Sequence, residues 1–221
     1  MILSDKINVD IISDVMCPWC LVGYKRFEQA LKELGVEDKF QITWHPFELN
    51  PDIADEGEEV LEHLSKKYGM SIVQAKETQD KFKESFAEVG FPFEYQEGRR
   101  MLKTIDAHVL LDFAKNSGKQ TELKLALFKA YFAQSKDVST REVLEKVVKS
   151  VGLDSTKAME KLDSPDSRGN IKDKEMFWLQ RGINSVPTMI FNQSSKISGA
   201  YPVESYKQII NDLLGNKNNS L

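Results

Sequence analysis

The sequence contains little cysteine and little histidine: its 221 residues include two cysteines and three histidines. A chain that relies on structural disulfides would carry more cysteines, spread along its length. Here Cys17 and Cys20 stand close together, and a disulfide closing so short a loop would constrain the unfolded chain little. Stabilisation of the fold therefore explains this pair poorly.

An excess of positive charge and a long apolar run are also missing. The net charge is -4, which is not typical of nucleic-acid-binding proteins or of basic membrane patches. No segment approaches the roughly 18 consecutive apolar residues of a membrane-spanning helix. The N-terminal residues lack the basic start, apolar run and cleavage site of a signal peptide. We therefore expect a cytoplasmic protein without nucleic-acid or membrane partners.

Strand and helix patterns alternate at the two ends of the chain. Near the N-terminus, a strand precedes a helix that stops at Gly35, and a second strand follows. Near the C-terminus, two short strands precede a final helix and a polar tail that is expected to be disordered. The predicted elements are a strand Lys6–Ser13, a helix from Leu21, strands Phe40–Trp44, Thr188–Phe191 and Lys196–Ser198, a helix Val203–Leu214 and the tail Gly215–Leu221.

The middle of the chain, residues 55–182, has a different character. Charged and apolar residues alternate at helical intervals, glycines separate the segments, and no strand is predicted. Ser71 and Ser139 are the predicted N-caps. The predicted helices are Glu58–Tyr68, Ile72–Val89, Thr104–Ser117, Gln120–Ser135, Thr140–Val151, Ser155–Leu162 and Asp166–Gly182.

The order β-α-β, helical insertion, β-β-α is that of a thioredoxin-like fold with an insertion. A CxxC motif within such a strand–helix–strand pattern strengthens this interpretation. We predict an α/β protein in which residues 1–52 and 183–221 form a discontinuous thioredoxin-like domain. Residues 53–182 are predicted to form an inserted helical domain.

The two cysteines belong to the motif Cys17-Pro18-Trp19-Cys20, between the first strand and the first helix. The thiolate is the nucleophile of disulfide exchange, and a helix N-terminus should lower the pKa of Cys17. Cys20, one helical turn further on, is suited to attack a mixed disulfide on Cys17. We predict Cys17 and Cys20 as catalytic residues of a thiol–disulfide oxidoreductase. Pro18 suits the first helical turn, and Trp19 offers an apolar surface, so both are predicted to bind substrate.

A zinc site is the main alternative for closely spaced cysteines. It would need two further Cys or His ligands. No other cysteine exists, and His45, His63 and His108 show no paired spacing. We therefore expect no metal.

A second motif, Val186-Pro187-Thr188, begins the third predicted strand. A proline that enters a strand removes a ladder hydrogen bond. It is either an ordinary strand-start proline or part of a cis Val186–Pro187 peptide that lies against the cysteines, where the Val186 backbone pairs with an extended peptide. The CxxC helix before it and the β-β-α ending after it favour the second interpretation. Val186, Pro187 and Thr188 are therefore predicted to bind substrate.

Five segments, which include both motifs, carry a family resemblance: Ser13–Cys20, Phe47–Pro51, Thr104–His108, Ser185–Thr188 and Ile197–Ala200. They resemble DsbA-family oxidoreductases, specifically the cytoplasmic FrnE-like branch, and the resemblance covers nearly the whole chain. It implies a thioredoxin fold with an inserted helical domain and dithiol–disulfide exchange on polypeptides. It also implies that Cys17 is the nucleophile, Cys20 the resolving thiol and Pro187 the cis-proline.

The same superfamily includes kappa-class glutathione transferases and 2-hydroxychromene-2-carboxylate isomerases. These resemble glutathione-binding enzymes with Ser at the position of Cys17 and no cysteine at that of Cys20. This chain keeps both thiols, which favours redox chemistry. A glutathione-dependent isomerase or transferase is the alternative function, and a non-catalytic binding module is a third. No resident cofactor is expected, and glutathione is retained as a candidate co-substrate.

Other polar residues have more ordinary explanations. His108 lies one turn after Thr104, and it either binds substrate in the interdomain cleft or packs as a hydrogen-bonded core histidine, which is favoured. Asp14 is expected to cap the turn before the motif. Arg99 and Arg100 are expected to be a solvated pair. The expected partners are protein or peptide thiols and disulfides, and the chain is expected to be a monomer or homodimer.

Overall fold

The protein, in a computed structural model that describes residues 6–218, alternates strands and helices at its ends and is helical in between. The strands are β1 (Ile7–Ser13), β2 (Phe40–Pro46), β3 (Glu58–Glu59), β4 (Arg100–Met101), β5 (Thr188–Phe191) and β6 (Ser195–Ser198). The α-helices are α1 (Pro18–Leu34), α2 (Val60–Tyr68), α3 (Ile72–Glu88), α4 (Ile105–Lys115), α5 (Gln120–Phe128), α6 (Arg141–Ser150), α7 (Ser155–Asp163), α8 (Ser167–Leu179) and α9 (Val203–Asn218).

A four-stranded sheet in the order β2-β1-β5-β6 forms the centre of the fold. β1 runs parallel to β2 and antiparallel to β5, which pairs antiparallel with β6. Successive side chains of a strand point to opposite faces. Ile7, Val9 and Ile11 therefore share one face of β1, and they pack in one apolar cluster with Phe27 of α1 and Tyr206 of α9.

Helix α1 begins directly after Cys17 and ends at Gly35. Cys17 is the N-cap, and Pro18 takes the first helical position. A backbone N–H at this position has no acceptor within the helix, so proline loses no hydrogen bond there. Gly35 closes the helix with a left-handed φ of 65°. The apolar spacing begins at Leu21, but the first turn of the helix includes Pro18, as the motif predicts, and the whole Cys motif therefore lies at the helix N-terminus.

Helices α2–α8 lie between β2 and β5 in the chain and share a core with the Cys motif. Cys17, Cys20 and Leu21 belong to the same buried cluster as Leu110 of α4 and Phe128 of α5. The inserted helices therefore pack directly behind the motif.

Three details of the insertion differ from the sequence prediction. The strands β3 and β4 pair as a two-stranded ladder, which is too short to show an alternating pattern. Lys129–Ala133 winds as a π-helix, so α5 is shorter than the predicted helix Gln120–Ser135. Thr140, not Ser139, is the N-cap of α6. Asp137 accepts hydrogen bonds from both the backbone N–H and the hydroxyl of Ser139, which occupies the predicted cap.

The order of elements confirms the predicted α/β architecture with a helical insertion. The domain boundaries at residues 52 and 182 stay a prediction. Helix α9 continues to Asn218, so the first part of the predicted disordered tail is helical, and residues 219–221 lie outside the described residues. Among residues 6–218, no helix is both long and apolar enough to cross a membrane.

Candidate active site

Cys17 and Cys20 lie at the junction of β1 and α1, and both thiols are free. Cys17 is 5% exposed and lines a groove, whereas Cys20 is fully buried. The Cys20 backbone N–H donates to the carbonyl oxygen of Cys17 at 3.1 Å. A substrate disulfide can therefore reach Cys17 but not Cys20. Within the described part of the chain, no three His, Cys, Asp or Glu side chains cluster in a metal-binding arrangement.

The Cys17 thiol faces the segment that leads into β5. Its Sγ atom donates a long hydrogen bond to the carbonyl oxygen of Val186 at 3.8 Å. The peptide bond between Val186 and Pro187 is cis. Val186 lines the same groove as Cys17. The fold thus brings together two motifs that stand near opposite ends of the sequence.

Asp14 fixes the turn before Cys17. It accepts hydrogen bonds from the backbone N–H groups of Met16 at 3.3 Å and Leu49 at 2.7 Å, so it caps the turn as predicted and also anchors the loop after β2. Burial alone would raise the pKa of Asp14, but hydrogen bonding and charge from His108, together with the Leu49 N–H, hold it below its ordinary value. Asp14 therefore remains a carboxylate inside the protein.

Lys124 of α5 is a buried cation beside the cysteines that the sequence analysis misses. Its side chain is 1% exposed, and Nζ donates to the carbonyl of Ser13 at 3.5 Å and lies over the Trp44 and Phe128 rings. Burial lowers the pKa of Lys124 to about 8, although a charge on Cys20 opposes this. The site therefore holds a positive charge at neutral pH that can stabilise a thiolate.

The two thiols ionise as a coupled pair. Hydrogen bonding with Cys20, and then burial, raise the pKa of Cys17 well above its ordinary value. Burial would also raise the pKa of Cys20, but the hydrogen bond from Cys17 and the Lys124 charge lower it. One proton thus leaves readily and the second is held tightly. The lowered pKa belongs to the pair, which corrects the expectation of a lowered pKa at Cys17 alone, although the helix N-terminus still favours charge there.

The groove beside Cys17 has a volume of about 370 Å³. Trp19 is 40% exposed and packs edge-on against Phe82 of α3, with ring centroids 5.5 Å apart. Pro18 lies beside it in the groove wall. Apolar residues from the insertion complete the walls, among them Val60, Leu64, Met70, Met101 and Phe132. The predicted residues Pro18, Trp19 and Val186 therefore share one surface with Cys17.

Arg99 lies in this groove and not on the solvated surface that the sequence predicts. It is 8% exposed, whereas Arg100 is exposed and donates to the carbonyls of Glu56 and Gly57. Arg99 directly precedes β4 and Arg100 is its first residue, and neighbouring side chains of an extended segment point to opposite sides, so the two arginines diverge. The ladder of β3 and β4, which the sequence pattern does not reveal, is the reason for the error.

Two residues predicted to bind substrate lie away from the groove. His108 is 2% exposed, and its Nε2 lies 3.2 Å from the carbonyl oxygen of Phe47, so it is a hydrogen-bonded packing histidine. Thr188 is 1% exposed, and its hydroxyl donates to the carbonyl of Ser185 at 2.8 Å. Neither side chain lines the groove with Cys17. We therefore expect no direct contact between these side chains and a substrate in the groove.

Fold and site together define a class of protein. A CxxC pair at the N-terminus of the first helix, facing a cis-proline before a β-β-α ending, is the arrangement of a thioredoxin-like thiol–disulfide oxidoreductase. Within this class, the helices α2–α8 inserted after β2 are a further distinguishing feature of the fold. The sequence profile of the DSBA-like thioredoxin domain matches residues 8–211, and the chain belongs to this family.

Similar proteins agree with this assignment. The crystal structure of a probable DsbA oxidoreductase from Streptomyces coelicolor, SCO1869, superposes on this chain with a TM-score of 0.88 and a sequence identity of 32%. The match covers 95% of this chain and 90% of that chain. The uncharacterized protein YwbO of Bacillus subtilis (strain 168) is 26% identical over 214 residues, 93% of this chain and 96% of YwbO. A 2-hydroxychromene-2-carboxylate isomerase shares the fold alone, at 12% identity and a TM-score of 0.71, over 97% of this chain and 99% of that chain. The DsbA-family resemblance is confirmed, and the FrnE-like branch stays a prediction.

Proposed function

We propose that the protein is an enzyme that exchanges disulfides with protein or peptide thiols, with Cys17 as the attacking thiol and Cys20 as the resolving thiol. Membership of the DsbA-like family supports this class of chemistry. The observation that carries the proposal is the difference between the two cysteines. Cys17 lines the groove at the start of α1, beside the Val186 carbonyl, and Cys20 is enclosed behind it.

In the proposed reaction, a thiolate on Cys17 attacks one sulfur of a substrate disulfide. A bond forms between Cys17 and that sulfur, and the other substrate sulfur leaves as a thiolate. Cys20 then loses its proton and attacks the Cys17 sulfur, which closes the protein disulfide and releases the second substrate thiol. Two electrons pass from the dithiol to the substrate. Reversal of the same steps oxidises a substrate dithiol.

The surface around Cys17 supports an extended polypeptide as substrate. The Val186 backbone lies next to the thiol, and in the proposed complex it pairs with a peptide strand, which is a common mode of peptide recognition. The exposed Trp19 ring and its Phe82 neighbour offer an apolar contact for a substrate side chain. The roles of Pro18 and Pro187 would be to shape this surface.

The first test compares Cys17→Ser with Cys20→Ser in an insulin-reduction assay and in refolding of a scrambled disulfide protein. We expect Cys17→Ser to lose activity to the uncatalysed background because the accessible nucleophile is gone. Cys20→Ser serves as the matched control, since it makes the same atomic change one turn away. It should still form mixed disulfides with substrate, which non-reducing electrophoresis detects. Full activity of Cys17→Ser, or no trapped species with Cys20→Ser, would refute the proposal.

The alternative functions have their own expected outcomes. A glutathione-dependent isomerase or transferase would bind glutathione saturably and turn over its substrate in the Cys17→Ser/Cys20→Ser double variant. A binding module would hold its partners equally well in that variant. The presence of both thiols favours the oxidoreductase over either alternative. The cytoplasmic location and the monomeric or homodimeric state stay predictions of the sequence.

A further inference from the structure

Ser13 is the last residue of β1, and it places a hydroxyl on a face of the strand that is otherwise apolar. Side chains alternate along a strand, so Ser13 lies on the same side as Val9 and Ile11, which pack against α1. The Ser13 side chain is fully buried. A buried hydroxyl costs free energy unless it is hydrogen-bonded, so a serine at the end of this apolar series needs a partner.

The Ser13 hydroxyl has no hydrogen-bond partner among residues 6–218. A serine at the end of a strand often bonds to the backbone of the turn that follows. Here Asp14 fills that role, because its carboxylate accepts the Met16 N–H. The hydrogen bonds of the turn therefore leave the Ser13 hydroxyl unused.

Cys20 is the residue of α1 that meets the end of β1. Cys20, Tyr24 and Phe27 follow one another at helical spacing and so share one face of α1. Tyr24 and Phe27 pack on β1, and Cys20 begins the same face in the first turn of the helix. Both Ser13 and Cys20 are fully buried, and the hydroxyl is within hydrogen-bonding reach of the Cys20 sulfur. A donor that no substrate contacts thus faces the enclosed thiol.

A hydrogen bond from Ser13 favours the ionised form of Cys20. Burial raises the pKa of Cys20, but the Cys17 thiol, the Lys124 charge and a hydrogen bond from the Ser13 hydroxyl bring it below its ordinary value. Lys124 also contacts Ser13, since its Nζ donates to the Ser13 carbonyl at 3.5 Å. The hydroxyl is unpaired beside the thiol and gains its hydrogen bond when Cys20 loses its proton. Such a donor stabilises the reacting form more than the resting form.

We propose that the Ser13 hydroxyl is the hydrogen-bond donor that stabilises the Cys20 thiolate in the resolving step. The inference rests on the proposed function, because it concerns the second half of that reaction. In the mixed disulfide, Cys20 loses its proton and its sulfur attacks Cys17, so a bond forms between them as the bond from Cys17 to the substrate sulfur breaks. The substrate sulfur leaves with the bonding electron pair, and the proton that Cys20 released passes to it or to water.

The test follows both steps with the aromatic disulfide dithiobis(nitrobenzoate). It releases one coloured thiolate when Cys17 attacks and a second when Cys20 closes the protein disulfide. With protein in excess, stopped-flow absorbance gives both rates, and the second does not depend on protein concentration because the step is intramolecular. On the acid limb of its pH profile, we expect Ser13→Ala to slow the second step about ten-fold, which is typical of losing a hydrogen bond to a charged group. Where Cys20 is fully ionised in both proteins, the rates should converge.

Two controls separate this role from a structural one. Ser167→Ala makes the same change at another buried serine, whose hydroxyl donates to the Lys161 carbonyl at 2.6 Å, and it should leave the second rate unchanged. The other control is Ser13→Ala in the Cys20→Ser background. There it should leave the first release unchanged, because the thiol that the Ser13 hydroxyl assists is gone.

The other titratable groups around Cys20 are the same in wild type and Ser13→Ala. They are Cys17, Asp14, Lys124 of α5 and Tyr206 of α9. Burial raises the pKa of Tyr206 to about 12, so this phenol keeps its proton throughout the profile. Lys124 loses its charge above about pH 8 in both proteins. The ratio of the two rates at each pH therefore reports the effect of the Ser13 hydroxyl.

Three results would overturn the role of Ser13. The first is equal second rates at every pH, and the next is an equal slowing at every pH, which would show a structural effect. The third is a slower first release for Ser13→Ala in the Cys20→Ser background, which would place the hydroxyl on Cys17. The proposed function fails separately, if the wild type releases one thiolate per reagent molecule and no second step follows.

Discussion

The ammonium group of Lys124 lies over the rings of Trp44 and Phe128. It donates a hydrogen bond to the carbonyl of Ser13, in the strand that leads into the Cys motif. Charges interact more strongly inside a protein than in water, so this cation acts on the cysteine pair with little screening. The sequence contains a weak signal for it. Lys124 directly follows Leu123 on the buried face of α5, where a charged residue is unusual. In the apolar periodicity of the sequence, such a residue is only an interruption. That it lies beside the cysteine pair is known only from the three-dimensional structure.

Replacing Lys124 by methionine should weaken the acidity of the cysteine pair. Without the cation, we expect the first pKa of the pair to rise by about one unit, and the thiolate fraction at neutral pH to fall several-fold. Because the pKa of Lys124 is lowered to about 8, its charge is present below that pH and lost above it. The rates of iodoacetamide alkylation for wild type and Lys124→Met should therefore differ below about pH 8 and converge above it.

Lys129→Met is the control for this change. Lys129 lies in the π-helical segment after α5 and is exposed, so the same substitution removes a distant, solvated charge. Its alkylation profile should match that of the wild type. An apolar residue of similar volume often replaces a buried charge without loss of stability, so we expect Lys124→Met to fold. An unchanged pH profile in Lys124→Met would show that the cation does not act on the thiols.

At the level of elements, the loop after β2 and helix α8 meet through two carboxylates. Glu48 and Glu175 are both buried, and Glu175 accepts a hydrogen bond from the Glu48 backbone N–H. Burial, followed by the negative charges of Glu175 and Asp14, raises the pKa of Glu48 to about 7 from an ordinary 4.5. Ionisation of Glu48 therefore adds a repelling negative charge beside Glu175 and Asp14.

Glu48→Gln should stabilise the protein at neutral pH. A carboxyl group with a raised pKa holds its proton more tightly in the folded state, so its stabilising contribution is complete below about pH 4.5 and is lost as the pH rises through about 7. Because the glutamine side chain does not ionise, the variant does not undergo this loss of stability at higher pH. After allowance for solvent screening, we expect a gain on the order of 1 kcal/mol, or about 2–4 °C in Tm, at pH 8.

Thermal unfolding at pH 5 and pH 8 checks this prediction. The difference in Tm between Glu48→Gln and wild type should be larger at pH 8 than at pH 5. Glu160→Gln, an exposed glutamate on α7, should change neither value. A destabilised Glu48→Gln at pH 8 would mean that the charged Glu48 contributes favourable contacts there.

The elements with strong local patterns are those that the sequence predicts well. The alternation of β1, the glycine stop of α1 and the strand β5 follow from residue types over short windows. The ladder of β3 and β4 and the π-helical segment arise from tertiary contacts and are missed. For the site, the CxxC and Val186-Pro187 motifs are found because both are local. The partners Lys124, Arg99 and His63 come from the insertion, and only the fold brings them to Cys17.

For the molecule as a whole, the oxidation state of the cysteine pair should change global stability. The folded protein favours the thiolate through Lys124 and the start of α1, and forming the disulfide removes that charge while Lys124 stays buried. We expect the reduced form to be more stable than the oxidised form by about 1–2 kcal/mol, which corresponds to roughly 2–8 °C in Tm. Melting curves with excess dithiothreitol or oxidised glutathione measure this difference.

The Cys17→Ser/Cys20→Ser double variant is the control and should melt at the same temperature in both solutions. A more stable reduced form raises the reduction potential of the pair, by about 30 mV for each 1.4 kcal/mol, and makes the protein an oxidant of other thiols. If the oxidised form melts at the higher temperature, the pair is instead a reductant.

The position of β1 in the sheet also affects how the protein forms during synthesis. β1 pairs with β5, and Asn8 donates its backbone N–H to Asn192, 184 positions later. Such distant pairing has to wait until the intervening chain has left the ribosome. The Cys17 thiol emerges early, but its Val186 neighbour follows only after the helices have been made. The redox site is therefore completed late in synthesis, and a nascent chain carries both thiols before the structure that controls them exists.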